Sequence, residues 1–363
     1  MKENEIIDSL RSFHDISKAI NSTLDIDEVM KLILDKTSIL MTTDKVLILL
    51  LDRDKMVLSI YKSLGFDEDE LKVKSFRDVR LFDHCIVRRG KVLGIEDVIQ
   101  EKDYRELSNV MPVFLNMFFA PLEIKGNVLG LLGVLDNKDD ISEIKLEVFC
   151  ALGSQAAVAI ENASLYKRLR DAFLHTAESL AAAIDSRDPY TGGHTRRVED
   201  YSVRLADHLN LSKQEKEELR LAAILHDIGK IGIDDAILRK GAALSEDEEL
   251  MMKSHPEIGA RILGFVKEMR NIIPGVRYHH ERYDGRGYPE GLKGEGIPLY
   301  ARIISIADAY DALTTDRPYK KSVDKDTALE EIEKDKGLRF DPFIVDTFYR
   351  LMKLERKDRE MGV

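Results

Sequence analysis

The spacing of apolar residues changes along the chain and divides it into regions. Between residues 5 and 41 apolar side chains recur every three or four positions, which predicts two helices, the second capped by Asp25 or Asp27. Short apolar runs follow and predict strands, with Lys125-Gly126-Asn127 as a hairpin turn between the last two. The predicted strands cover residues 45–52, 56–64, 91–95, 117–124 and 128–136.

A long helical pattern begins near Ser142 and continues to Ile184, with Gly153 as its only glycine and no proline before Pro189. A pattern longer than ~25 residues favours one connecting helix, which could form a two-stranded coiled coil. Two consecutive packed helices remain the alternative. From about residue 166 to the end, the remaining pattern is almost wholly helical.

Composition limits the classes of function. The net charge of -11 over 363 residues argues against binding of a nucleic-acid polymer, although a local basic cluster could still hold a small anion. The two cysteines, Cys85 and Cys150, fit a reducing compartment rather than a disulfide framework. The start of the chain lacks an apolar signal core, and the apolar runs are too short to span a bilayer. We therefore expect a cytoplasmic protein with no membrane insertion.

Histidines and aspartates in the C-terminal half indicate a metal site. Each of them lies on or beside a predicted helix, and helical bundles build metal sites from such side chains. Seven groups are too many for one ion and suit two, with Asp227 as the natural bridge. The absence of thiolate favours iron or manganese. Any one of these residues alone would more often be a surface or capping residue, so the set carries the prediction: His194, His226, Asp227, His255, His279, His280 and Asp308.

Two motifs then give the set a family. LHDIGK followed by HHERYDGRGYP resembles the HD-GYP family, a branch of the HD phosphohydrolases, over about residues 170–350. The resemblance implies an all-α HD-type helical bundle and a phosphodiesterase that converts cyclic di-GMP to pGpG, and it leaves open whether hydrolysis continues to GMP. The positions that match the motif HHExxDGxGYP are His279, His280, Glu281, Asp284, Gly285, Gly287, Tyr288 and Pro289.

The resemblance also implies roles for residues. One metal would take His194, His226, Asp227 and Asp308, and the other would take Asp227, His255, His279 and His280. Some members hold a third metal with a glutamate where this chain has Tyr190, and Asp185 or Asp188 could substitute for it.

Lys230 follows Asp227 by three positions on the same predicted helix, so both side chains should face the same side. The resemblance implies phosphate contacts for Lys230 and for Arg317 and Lys320. Lys230 and Asp227 are thus the candidate catalytic residues. The turn-forming loop with Asp284, Gly285, Gly287, Tyr288 and Pro289 is expected to be structural and to offer a surface for a protein partner.

Residues 1–165 resemble a GAF domain, an α+β fold with an antiparallel sheet and flanking helices. The expected organisation is multidomain: a sensory domain at 1–165, a connecting helix at 155–187 and a catalytic domain at 170–363. No motif identifies the GAF ligand, and His84-Cys85 is more often structural than a haem or bilin site. Helices at the N-terminus and at 155–185 suggest a homodimer.

Two alternatives to the active enzyme stay open. The catalytic half could bind cyclic di-GMP without hydrolysing it, although the intact ligand set argues against this. The substrate could instead be another cyclic dinucleotide, such as cyclic GMP-AMP.

Overall fold

The computed structural model describes residues 2–55, 57–66, 75–76, 117–135, 142–187, 193–316 and 321–361. The chain separates into two compact units, Met1–Asp171 and Ala172–Val363. Each unit has its own cluster of buried apolar side chains.

The N-terminal unit begins with two helices, α1 (Lys2–Ile20) and α2 (Ile26–Met41). Asp25 caps α2, because its carboxylate accepts hydrogen bonds from the backbone amides of Asp27 and Glu28. One of the two predicted caps is therefore the real one. The apolar face of α2, including Val29 and Ile33, is buried in the core of this unit.

A five-stranded antiparallel sheet follows, with β1 (Lys45–Asp52) at its centre. Residues Lys125 and Gly126 form the turn between the last two strands, both with positive φ, as a tight hairpin requires. The predicted strand at 91–95 lies outside the described residues. The strand order is β3-β2-β1-β5-β4, with β1 Lys45–Asp52, β2 Val57–Leu64, β3 Ser75–Phe76, β4 Met117–Ile124 and β5 Asn127–Leu135.

A single helix, α3 (Glu143–Asp185), runs without a break for 43 residues, which confirms the prediction of one long helix rather than two. Phe149 and Ala156 belong to the core of the N-terminal unit, and Ala181 belongs to the core of the C-terminal unit. By length and composition α3 could also cross a membrane, with a mean hydropathy of 1.2 over 18 residues. This is weak evidence, because core helices of soluble proteins pass the same test and 44% of that window is buried.

The described part of the C-terminal unit is almost entirely helical, as predicted. Pairs of helices pack closely, among them α4 (His194–His208) with α5 (Lys213–Leu225) and α4 with α10 (Leu299–Thr314). Three short 3₁₀ helices, Ile228–Gly232, Lys267–Met269 and Gly294–Gly296, separate some of the α-helices. The α-helices are α4 His194–His208, α5 Lys213–Leu225, α6 Asp235–Leu238, α7 Glu246–Met252, α8 His255–Leu263, α9 Ile273–Tyr278, α10 Leu299–Thr314, α11 Lys325–Lys334 and α12 Pro342–Met361.

Candidate metal centre

The seven predicted ligands come together in the C-terminal unit. They lie at helix ends or on a helix face: His194 begins α4, His226 directly follows α5 and His255 begins α8. His279 and His280 follow α9, and Asp308 lies on α10. Residues more than a hundred positions apart in the chain therefore face one point.

The ligand atoms form overlapping groups within 4.8 Å of one another. One group is His194, His226 and Asp308, and another is His255, His279 and His280. A third group, His226, Asp227 and His279, joins them. These are the two sets that the sequence predicted, with Asp227 between them.

The two oxygens of Asp227 face different sets. Oδ1 lies 3.2 Å from Nε2 of His255. Oδ2 lies 3.4 Å from Nε2 of His226 and 4.0 Å from Nε2 of His194. A carboxylate in this position can give one oxygen to each of two cations.

Backbone carbonyls set the tautomers of three histidines. His226, His255 and His279 each place Nδ1 at 2.7–2.8 Å from the carbonyl oxygen three residues earlier, where an N–H donates. Their Nε2 atoms then carry the lone pair that binds a metal. Nε2 of His226 is buried and has no hydrogen-bond partner in the described part of the chain. A bound cation would give this buried nitrogen the partner that it lacks.

His194 is held by a carboxylate instead. Its Nδ1 lies 2.7 Å from Oδ2 of Asp311, and its Nε2 lies 3.5 Å from Oδ1 of Asp308. Asp311 is buried and also accepts hydrogen bonds from Arg197. A carboxylate in this position fixes the tautomer and the ring orientation of a metal-binding histidine.

Electrostatics of the cluster favour added positive charge. Burial alone would raise the pKa of Asp227, but the charges of Lys230 and His226 outweigh it and hold that pKa well below its usual range. Burial lowers the pKa of His226, yet Asp227 and Asp308 raise it to about 9. His279 has its pKa lowered to about 3 by burial, with His226 and His255 adding to the effect. The two carboxylates thus favour a positive charge at His226, where a cation can bind instead of a proton. His279 stays neutral, which is the form that binds a metal.

Lys230 lies beside the cluster, with Nζ 2.7 Å from Oδ2 of Asp227. The expectation that both residues lie on one helix is wrong. α5 ends at Leu225, and Asp227 stands just before the 3₁₀ helix that contains Lys230. The tighter turn still brings the two side chains together, because residues three apart lie above one another in a 3₁₀ helix.

The loop after His280 packs against the cluster. Tyr288 stacks on the ring of His280, with centroids 4.9 Å apart, and burial followed by the charge of Asp227 raises its pKa. Asp284 pairs with Arg282 and accepts from the backbone amide of Arg286, and these bonds lower its pKa to about 2.

Gly287 lets the end of this loop lie close to the backbone at its start. A Cβ on Gly287 would lie 2.3 Å from the backbone nitrogen of Arg282, and Gly285 has a φ of +82°. The peptide bond between Tyr288 and Pro289 is cis.

Of the remaining predicted ligands and phosphate contacts, only Asp185 lies in the described part of the chain, and it does not join the cluster. Asp185 instead accepts a hydrogen bond of 2.8 Å from Oγ1 of Thr195, and it belongs to none of the ligand groups found among the described residues. Asp188, Arg317, Lys320, Tyr190 and the His84-Cys85 pair lie outside the described residues.

Sequence reasoning missed Asp311 and Arg197. The available signal was spacing: Asp311 follows Asp308 by three positions on one helix, and Arg197 follows His194 in the same way.

Comparisons with known proteins identify two domains in the chain. The GAF domain family matches residues 23–161, and the HD domain family matches residues 178–344. The chain is 38% identical over 240 residues to "Cyclic di-GMP phosphodiesterase response regulator RpfG" of Xanthomonas campestris. It is 38% identical over 195 residues to a "Cyclic di-GMP phosphodiesterase" of Thermotoga maritima and 36% identical over 190 residues to "3'3'-cGAMP-specific phosphodiesterase 3" of Vibrio cholerae.

These alignments cover 65%, 52% and 52% of the chain, in the same order. They span 61%, 52% and 41% of the relatives' own lengths, which is less than two thirds in each case.

Proposed function

Because the chain joins a GAF domain to an HD domain of the HD-GYP family, we propose that it is a metal-dependent phosphodiesterase for cyclic di-GMP, regulated by its GAF domain. The observation that carries the proposal is the buried set of histidines and aspartates, divided into two groups by Asp227. Burying ionisable groups costs free energy unless they are paired or bind metal, and bound cations would lower that cost here. The names of the relatives support the substrate class.

Two divalent ions fit the donor set, and mixed imidazole and carboxylate ligation favours iron or manganese. His194, His226 and Asp308 would hold one, while His255, His279 and His280 would hold the other, with Asp227 shared. When bound, such a pair supplies a water of lowered pKa and neutralises charge on phosphoryl oxygens. A third ion near Asp185 or Asp188 has no support among the described residues.

The protein's own contribution is charge and position. Lys230 has its ammonium beside Asp227, so it can bind a non-bridging oxygen of a phosphate placed at the cluster. Arg317 and Lys320 are proposed to hold the substrate's phosphates as well. The half-buried ring of Tyr288 stacks on His280 and covers one side of the site. Arg286 is exposed on the same loop, where we place the surface for a protein partner.

Product analysis tests this function. Manganese- or iron-loaded protein, handled without oxygen, should release linear pGpG from cyclic di-GMP. Asp227→Asn should lower the rate at least ~10³-fold, because both cation positions lose a shared ligand. The control is Asp207→Asn, an exposed carboxylate on α4 outside the cluster. Tight binding without product would favour a silent binding module instead.

Cyclic GMP-AMP is the second candidate substrate, since one relative is named for a cyclic GMP-AMP. A panel of cyclic dinucleotides, compared by kcat/KM, separates the two. A preference for cyclic GMP-AMP would keep the metal chemistry and replace the substrate.

We further propose a homodimer in the cytoplasm, formed along α3. Exposed apolar side chains occur at Val158, Leu169 and Leu180, eleven residues apart, with Leu165 and Phe173 between them. An 11-residue repeat keeps one stripe on one side of a nearly straight helix, so a second copy can cover it. Leu169→Lys should convert dimer to monomer in sedimentation velocity, while Lys167→Glu, on another face, should not. A wild-type monomer at all concentrations would contradict the dimer.

A further inference from the structure

Residues at the C-terminal end of α3 hold both chain segments that carry the first metal ligands. Oγ1 of Thr195, the residue after His194, donates to Oδ2 of Asp185 at 2.8 Å. Arg187, two residues beyond the end of α3, binds the segment that follows Lys230. Asp185 and Arg187 belong to none of the ligand groups, yet each lies next to a segment that carries a ligand.

The guanidinium of Arg187 grips this segment at three places. Nη1 donates to the carbonyl oxygen of Ile231 at 3.0 Å, and Nη2 donates to that of Ile233 at 3.1 Å. Nε and Nη2 also bind Oδ1 of Asp235, at 3.1 and 2.7 Å. In return, Nε of Arg239 donates to the carbonyl oxygen of Arg187 at 2.8 Å. Only a planar group with several fixed donors can reach all these acceptors at once, so lysine is not equivalent.

The segment that Arg187 binds directly follows the turn that carries Asp227 and Lys230. Two backbone hydrogen bonds connect Ile233 to Asp227. The amide of Lys230 donates to the carbonyl oxygen of Asp227 at 2.9 Å, and the amide of Ile233 donates to that of Lys230 at 3.0 Å. On its other side the turn is packed against α8. A Cβ on Gly229 would lie only 1.8 Å from the carbonyl oxygen of His255. The turn is therefore held between Arg187 and the helix that begins with a metal ligand.

Hydrophobic burial does not hold all of this turn in place. Ile231 is 55% exposed, so its side chain adds little packing at the point that Arg187 binds. Ile233 is buried, so the hydrogen bonds of Arg187 add to its packing and hold the turn at the exposed Ile231.

We propose that Arg187 is a positioning residue, which fixes the 227–235 turn so that Lys230 and Asp227 keep their geometry for phosphate and cations. This inference rests on the proposed function. Loss of the Arg187 side chain should displace the turn without removing any metal ligand. A displacement of about 1 Å at a reacting group can lower a rate by about 10²-fold.

The experiment compares Arg187→Gln and Arg187→Lys with Arg350→Gln, an exposed arginine on α12 whose Nε binds the carbonyl oxygen of Asp346. Arg187→Gln should lower kcat for cyclic di-GMP by about 10- to 100-fold, with a smaller change in KM. Arg187→Lys should recover only part of that loss, and Arg350→Gln should match the wild type. Asp235→Asn should add little when combined with Arg187→Gln, because both substitutions disrupt the same contact between Arg187 and Asp235.

Hydrogen exchange and manganese titration give readouts that do not need activity. Amides 228–235 should exchange faster in Arg187→Gln, and manganese affinity should fall several-fold, while the rest of the unit keeps its protection. Unchanged exchange at this turn, or a uniform loss of protection across the unit, would overturn the positioning role. If the wild type hydrolyses no cyclic dinucleotide, the proposed function fails, and exchange and manganese affinity alone decide the role of Arg187.

Discussion

Among the described residues of the N-terminal unit, the buried polar side chains are Thr37 and Thr43. The C-terminal unit buries four histidines and several carboxylates, most of them in one cluster. Burying ionisable groups is costly unless they are paired or bind metal, so this difference marks where the chemistry lies. The described N-terminal core is built for packing, which is why the sheet and helices reveal a fold but no ligand.

The largest effect on stability is expected from the apolar core. Phe149→Ala removes a fully buried ring from the N-terminal unit and should lower the free energy of unfolding by ~3–5 kcal/mol. Chemical denaturation measures the loss, and manganese titration should show unchanged affinity. The exposed Tyr166→Ala serves as the control. A fall in manganese affinity equal to that of a ligand variant would break the comparison between the units.

Removal of metal should affect the other unit. Saturation at about 100 times Kd stabilises a folded protein by ~2.7 kcal/mol. Chelation should therefore lower the Tm of the transition that belongs to the C-terminal unit by ~5–10 °C. Differential scanning calorimetry with and without chelator measures the shift.

Asp227→Asn should abolish most of the shift, because the shared carboxylate is weakened as a ligand. Equal shifts in both transitions, or none in either, would contradict a metal site confined to the C-terminal unit.

The smallest effect separates two buried carboxylates within the C-terminal unit. Asp311 pairs with Arg197 and orients His194, whereas Asp341 pairs with Arg302 and contacts no predicted ligand. Asp311→Asn should weaken manganese binding by ~10- to 100-fold, which is the usual cost of losing such a partner. Asp341→Asn should leave manganese affinity unchanged even if it lowers stability. Equal affinities in the two variants would show that the bond to His194 does not tune the site.

Local patterns were sufficient for much of the fold. The period of apolar residues predicted α2 and the unbroken α3, and the turn residues at 125–127 predicted the hairpin, because these features depend on neighbours a few positions away. The two motifs supplied four of the seven residues that gather, and the residue types at the other three positions, His194, His255 and Asp308, suit the same kind of cation site.

Other features depend on contacts between distant parts of the chain. Asp311 lies 117 positions from His194, and Asp235 lies 48 positions from Arg187. No period or motif links such pairs, so packing of the helices selects them. The same packing places Lys230 on a 3₁₀ turn and gives each oxygen of Asp227 its own set of histidines, because a ligand's direction follows from the backbone that carries it.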